Sequence, residues 1–140
     1  MKVSEAMHKG VTWVEPTMRL GEVAKLMKQH DVGSLPVGDN DRLVGMITDR
    51  DIALKAVARD SGDVRQMTAG DVMTKGIHCC AEADDIEDAV AHMHRYQIRR
   101  LPVIDGNKRM VGMLSLGDVS HAAKTDLSGE MIKGVSAHHK

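Results

Sequence analysis

Two short segments of this 140-residue chain carry residue types suited to chemistry: Gly45-Met46-Ile47-Thr48-Asp49-Arg50-Asp51 and Gly112-Met113-Leu114-Ser115-Leu116-Gly117-Asp118. Both read G-x-x-[T/S]-x-x-D, and two readings fit. In one, Thr48 and Ser115 are helix N-caps, and Asp51 and Asp118 close a capping box while complementing the helix dipole. In the other, the same turn holds a ligand. Free N–H groups at a helix start suit a phosphate. A hydroxyl there can donate to a phosphate or ribose oxygen. A carboxylate can accept two hydrogen bonds from a ribose diol, as in dinucleotide sites. The glycine ahead of the hydroxyl would let a flat ring approach the strand. A cap can be shared with a ligand, so the readings are compatible.

Other reactive residues offer less. His92 and His94 are two apart on a helix and do not face each other, so a shared metal is not expected. His8, His30 and His121 stand alone, and His138 and His139 lie near the end of the chain. Cys79 and Cys80 are adjacent and form no CxxC motif. They read as one buried and one partly exposed thiol, with a vicinal disulfide or redox switch as the alternative. No Ser-His-Asp or Cys-His set can be assigned from scattered members.

The elements that must position these turns come twice. Met7-His8-Lys9-Gly10-Val11 returns as Met73-Thr74-Lys75-Gly76-Ile77, and Leu35-Pro36-Val37 returns at the same offset as Leu101-Pro102-Val103. Val44-Gly45-Met46 returns as Val111-Gly112-Met113, one residue later. The extra residue falls in Asp105-Gly106-Asn107-Lys108, where Asp-Gly signals a hairpin turn. Each copy predicts a first strand (Val11 to Val14, Ile77 to Cys80) and then a helix. Its apolar stripe is Leu20, Val23, Ala24 and Met27, or Ile86, Ala89, Val90 and Met93. Met27 and Met93 read as core. Two hairpin strands follow, then a second helix near Asp51–Arg59 and Asp118–Lys124. Thr68 with Asp71 predicts a capping box opening a short lead-in helix before Met73. Past Thr125 periodicity is weak, and fraying is expected.

The expected fold is α/β (α+β): two βαββα units, residues 1–62 and 63–127, with a tail at 128–140. Packing sheet to sheet with pseudo-two-fold symmetry would bury both exposed sheet faces. Apolar helix surface left over would drive association of whole chains. Composition narrows the function. With 42% hydrophobic and 28% charged residues, a globular protein is expected. There is no Phe, one Trp and one Tyr, so base stacking on aromatic platforms is not a route to nucleic acid. With 19 basic and 20 acidic residues, no basic footprint for nucleic acid or a membrane surface exists. No apolar run approaches the ~20 residues that span a bilayer, and the start lacks a secretory signal. A cytoplasmic protein is expected.

Taken together, V-M-x-x-x-[V/I] … L-P-V … [L/V]-V-G-x-[I/L]-[T/S]-x-x-D-[I/V] resembles the pattern of CBS domains. Two in tandem resemble a CBS pair, or Bateman module, over about Val3 to Lys124. The run Thr48-Asp49-Arg50-Asp51-Ile52 is similar to that of small stand-alone two-CBS proteins of bacteria and archaea. The resemblance implies a disc-like homodimer and a nucleotide such as AMP, ADP or ATP, sometimes NAD or S-adenosylmethionine, bound between the repeats. It places one cleft at Ser115 and Asp118, lined by Gly10, Val11, Thr12, Val32 and Met113. The other is at Thr48 and Asp51, lined by Gly76, Ile77, His78, Ile98 and Met46. It also implies a basic residue reaching the phosphates just before Leu-Pro. Copy two has Arg99-Arg100 there and copy one has Gly33-Ser34. A guanidinium suits phosphate bidentately, although Arg99 and Arg100 also fit a solvated strand edge. The Ser115/Asp118 cleft is therefore first choice for a phosphorylated ligand. Gly33 and Ser34 leave the other weak, empty or open to a less charged one.

The leading expectation is a non-enzymatic nucleotide-sensing module needing no catalytic cofactor and no metal, read by an unknown protein partner. A structural or interaction dimer with vestigial clefts is the alternative. A small hydrolase or transferase acting on the nucleotide would lack any visible metal set.

Overall fold

The computed structural model describes residues 1–60, 62–75 and 78–132, with side chains described as far as Lys124. Gly76, Ile77, His138 and His139, singled out above, lie outside the described residues. The chain divides into two compact units. One holds Thr12–His78 with Asn107–Met110, the first-repeat unit. The other holds Met1–Val11, Cys79–Gly106 and the chain from Val111 onward, the second-repeat unit.

In the first-repeat unit, α2 (Leu20–His30) leads into a hairpin of β2 (Ser34–Asp39) and β3 (Arg42–Thr48). Val14 bridges Val37 in parallel on one edge, and Thr74 bridges Met46 antiparallel on the other. The second-repeat unit repeats this order with longer edges. Its sheet runs β1 (His8–Lys9), β6 (Met110–Ser115), β5 (Arg100–Ile104), β4 (Cys80–Ala81), beside α5 (Ile86–Tyr96). Both main helices end in a left-handed residue, Asp31 at φ 53° and Gln97 at φ 58°. The β2–β3 turn places Asn40 at φ 60°, a conformation Asn tolerates.

The fourth strand position corrects the expected three-stranded sheet. Each unit takes its extra edge from the lead-in of the other repeat. Helix α1 (Val3–Ala6) docks on the start of α5: Val3 N–H donates to Asp84 O at 2.8 Å and Ile86 N–H to Met1 O at 2.9 Å. Helix α4 (Ala69–Val72) docks on α2 in the same way, Ala69 N–H to Met18 O and Leu20 N–H to Met67 O, both 2.8 Å. The Thr68–Asp71 box is present and opens α4 as predicted. Its two bonds hold the Asp71 carboxyl below the usual range, backbone bond first and hydroxyl second. Repeat boundaries thus follow sequence, whereas the compact units follow hydrogen bonds that exchange the lead-ins.

Two apolar cores result. One gathers Val14, Leu20, Val23, Met27, Leu35, Val37, Ile47, Ala56, Ala69 and Val72. The other gathers Val3, Cys80, Ala89, Met93, Leu101, Val103 and Leu114. Of the predicted stripes, Leu20, Val23, Met27, Ala89 and Met93 are buried in the cores; Ala24 is exposed, Ile86 and Val90 are half-buried outside the core, and Leu26 packs against it. The first strands are shorter than expected: Val11–Trp13 make no ladder, because Gly10 turns the chain at φ 81° before Val14 pairs. The helix after the first turn starts as α3 (Asp49–Asp51) and widens to a π-helical run, Ile52–Val57, closed by Ala58 N–H to Ala53 O. Helix α6 (Leu116–Ile132) continues past Thr125 as far as Ile132, and the rest of the tail expected to fray lies outside the described residues.

Candidate functional site

Each G-x-x-[T/S]-x-x-D segment ends a strand and opens a helix, and each forms a complete reciprocal cap. In the first, Thr48 N–H donates to Asp51 Oδ2 and Asp51 N–H donates to Thr48 Oγ1, both at 3.0 Å. In the second, Ser115 N–H donates to Asp118 Oδ2 at 2.9 Å and Asp118 N–H to Ser115 Oγ at 3.0 Å. The preceding bonds match too: Asp49 N–H donates to Gly33 O at 2.9 Å, and Leu116 N–H to Arg99 O at 3.0 Å. Asp51 is buried; Thr48, Ser115 and Asp118 are half-buried.

Gly45 and Gly112 correct the expectation of a ring lying against the strand. A Cβ at Gly45 would lie 2.8 Å from Thr74 O, and one at Gly112 would lie 2.5 Å from His8 O. The close approach these glycines allow is made by the exchanged lead-in backbone. In consequence Gly10, Val11 and half-buried Met113 share a unit with Ser115 and Asp118, Gly10 N–H donating to Val111 O at 3.0 Å. Thr12 and Val32 belong to the unit of Thr48 and Asp51, as do Met46, His78 and Ser34. Ser34 pairs with Thr48 across the hairpin. Ile98 lies in the second-repeat unit and packs against its core. Ile77 is outside the described residues.

The outward residues separate the turns. Asp51 Oδ1 sits 3.1 Å from Lys55 Nζ, which also donates to Val72 O at 3.3 Å and Thr74 Oγ1 at 3.4 Å. Ala122 stands at the lysine's position in the second repeat. Beside the second turn, Arg99 lines a groove of about 310 Å³ with Val90, Met93, His94, Gln97, Ile98 and Leu116. Ser115 and Asp118 are not among its walls, although Leu116 follows Ser115 directly. Arg99 and Arg100 are both exposed. Asp49, Lys55, Thr74 and Leu116 were not singled out from sequence. The i,i+4 spacing of Asp51 and Lys55 was the one available signal.

The remaining candidates are placed elsewhere. Cys80 is buried and Cys79 half-buried, both as free thiols, as expected. Burial pushes the Cys80 thiol up to about 12 and raises Cys79 as well, so neither is an activated nucleophile at neutral pH. The His92 ring packs 4.8 Å from Tyr96, while His94 faces the groove. Among the described residues, no three His, Cys, Asp or Glu side chains gather as a metal site, and no helix is long and apolar enough to cross a membrane.

The fold and paired turns define a tandem α+β module with one capped strand-to-helix turn per repeat. The CBS domain family model matches residues 3–57 and 69–125, and the chain belongs to that family. It is 37% identical over 135 residues to CBS domain-containing protein YhcV of Bacillus subtilis, covering 96% of this chain and 94% of that one. It is 34% identical over 132 residues to Hypoxic response protein 1 of Mycobacterium tuberculosis, covering 94% and 91%. Among solved structures, Hypoxic Response Protein I with two coordinated zinc ions superposes at TM-score 0.78 and 36% identity, covering 86% of this chain and 98% of that one. CBSX2 in complex with AMP superposes at 0.77 and 27%, covering 89% and 97%. The CBS pair of MJ0100 with 5-methylthioadenosine and S-adenosyl-L-methionine superposes at 0.76 and 28%, covering 90% and 98%.

Proposed function

We propose that this chain is a non-enzymatic, cytoplasmic regulatory module that binds an adenine nucleotide, AMP, ADP or ATP, at the Ser115–Asp118 turn. It works as a homodimer whose liganded state a partner protein reads. One observation carries the choice of turn. Leu116, the residue after Ser115, lines one groove with Arg99, a permanent cation suited to phosphate. Asp118 takes the ribose hydroxyls, Ser115 and Arg99 or Arg100 take phosphate oxygens, and Met113, Gly10 and Val11 flank them. Thr48 and Asp51, with Met46, Ser34 and His78, form a second, weaker station. Adenosine compounds bound by CBSX2 and MJ0100 support the ligand class. The CBS family match over both repeats and the near full-length similarity to CBS domain-containing protein YhcV support regulation over catalysis.

A thermal-shift panel with AMP, ADP, ATP, NAD and S-adenosylmethionine tests this. A ligand at 100 times its Kd adds about 2.7 kcal/mol, which raises Tm by roughly 2–8 °C at this size. Asp118→Ala should abolish the shift and Asp51→Ala reduce it less. No shift with any adenosine compound overturns the reading. It would favour a structural or interaction dimer, a reading consistent with both caps being satisfied without a ligand.

A further inference from the structure

The groove beside the second turn is an apolar surface with a cation on its rim. Val90, Met93, His94 and Gln97 line it at i, i+3, i+4 and i+7 along α5, and Ile98, Arg99 and Leu116 complete the wall. Leu116 is 41% exposed, a large apolar side chain in water at the start of α6. The last turn of α5 adds Arg95 to the basic side. The Arg99 side chain makes no ion pair among the described residues. The chemistry that fits here is an apolar side chain flanked by carboxylates.

Helix α6 carries that chemistry at its other end, where the sequence reads Asp126-Leu127-Ser128-Gly129-Glu130-Met131-Ile132. The chain beyond Ile132 does not, because Lys133 and Lys140 would meet Arg99 as like charges. Leu116, Ser120, Ala123 and Leu127 fall at i, i+4, i+7 and i+11, one stripe about 16 Å long. Leu116, Ser120 and Ala123 are exposed. The stripe is symmetric about the midpoint between His121 and Ala122, with a leucine at each end and small residues between. Two such helices running antiparallel about a two-fold axis set each Leu116 against the partner's Leu127, and the small residues let the axes approach at the crossing. The same register brings the partner's Asp126 beside Arg99, with the partner's Glu130 one turn further on.

We propose that the α5–α6 groove is a contact surface between two copies of this chain, each groove receiving the Leu127 end of the other copy's α6 in this antiparallel register. The contact is isologous, so one charge pair and one apolar anchor are each made twice. The inference rests on the homodimer reading and adds its surface and register. Arg99 is also the cation that the nucleotide reading uses, so the test is run without nucleotide.

Analytical ultracentrifugation of the full chain at low ionic strength decides it, with circular dichroism to confirm that each variant is folded. Arg99→Glu should weaken the dimer at least about tenfold, and so should Asp126→Arg with Glu130→Arg. Combining all three should restore the wild-type constant to within about threefold, because the charge pairs re-form with their signs exchanged. Ala123→Arg, at an exposed position in the middle of the stripe, should leave the chain folded and monomeric. Lys25→Glu, on α2, should change association less than about twofold. A dimer that survives both Arg99→Glu and Ala123→Arg overturns the inference and leaves the homodimer reading intact. So does a triple variant without rescue, or a Lys25→Glu effect as large as that of Arg99→Glu. A wild-type chain that stays monomeric at every concentration overturns both.

Discussion

The two turns share a skeleton and differ in what they present. Thr48 with Asp51 and Ser115 with Asp118 make the same pair of bonds within about 0.1 Å. Their outward neighbours do not match: Asp49 against Leu116, Gly33 against Arg99, Lys55 against Ala122. The comparison separates two jobs that one motif performs. Hydroxyl and carboxylate satisfy orphan donors at a helix start and so remain whatever the site binds. The flanking positions carry no such duty and are free to set charge.

If the scaffolds are equivalent, core truncation should cost both units alike. Ile47 and Leu114 occupy corresponding positions on β3 and β6 and are both fully buried. Ile47→Ala and Leu114→Ala should each lower unfolding free energy by about 2–5 kcal/mol in urea denaturation. A large change for one and a small change for the other would break the equivalence. The exchanged edges give a finer test. Gly45→Ala and Gly112→Ala push a methyl against a lead-in carbonyl and should each cost about 1–3 kcal/mol. Gly112 should be the worse, since its contact is 2.5 Å against 2.8 Å. Hydrogen exchange should accelerate at Gly10 in one variant and at Thr74 in the other, because those amides bond to the displaced edge.

Much of this was legible in the sequence, for identifiable reasons. The repeat, the helix stripes ending at Met27 and Met93, and the caps are local patterns whose period or spacing is itself the signal. The exchange of lead-ins was not legible in the local pattern, although the family resemblance puts Gly10 and Val11 with Ser115 and Asp118. Met7–Lys9 and Met73–Thr74 look like entries to their own repeats, and only hydrogen bonds distant in sequence assign them to the other. For the same reason Gly45 and Gly112 suggested room for a ligand ring, although backbone fills the space. Asp49 and Leu116 looked like unremarkable cap neighbours until their bonds to Gly33 and Arg99 placed them beside those positions.

Removing the caps should cost less than disturbing the edges. Thr48→Ala and Ser115→Ala each leave an orphan donor and should lose about 1 kcal/mol without ligand. With AMP in excess the two should diverge, Ser115→Ala losing most of the ligand's added stability. Equal losses with AMP would mean that the flanking charges do not distinguish the turns.

The smallest effect concerns Val14 and Cys80, which occupy corresponding core positions. Each is buried beside the proline-containing strand of its repeat; Val14 N–H bonds to Pro36 O, and Cys80 Sγ lies 3.9 Å from Pro102 O. Cys80→Val should therefore change stability by less than about 1.5 kcal/mol near pH 7. The difference should appear in alkali. Desolvation first, then the charges of Asp84 and Cys79, push the Cys80 thiol up to about 12 in the folded chain. The unfolded thiol ionises near 9, the ordinary value. A raised folded pKa contributes fully below the unfolded value and is lost as pH rises through the folded one, because the unfolded chain sheds the proton first. Wild type should lose stability between about pH 9 and 12 more steeply than Cys80→Val. Parallel pH profiles would show that Cys80 ionises as readily folded as unfolded, so that the second-repeat core does not shield this position as the first shields Val14.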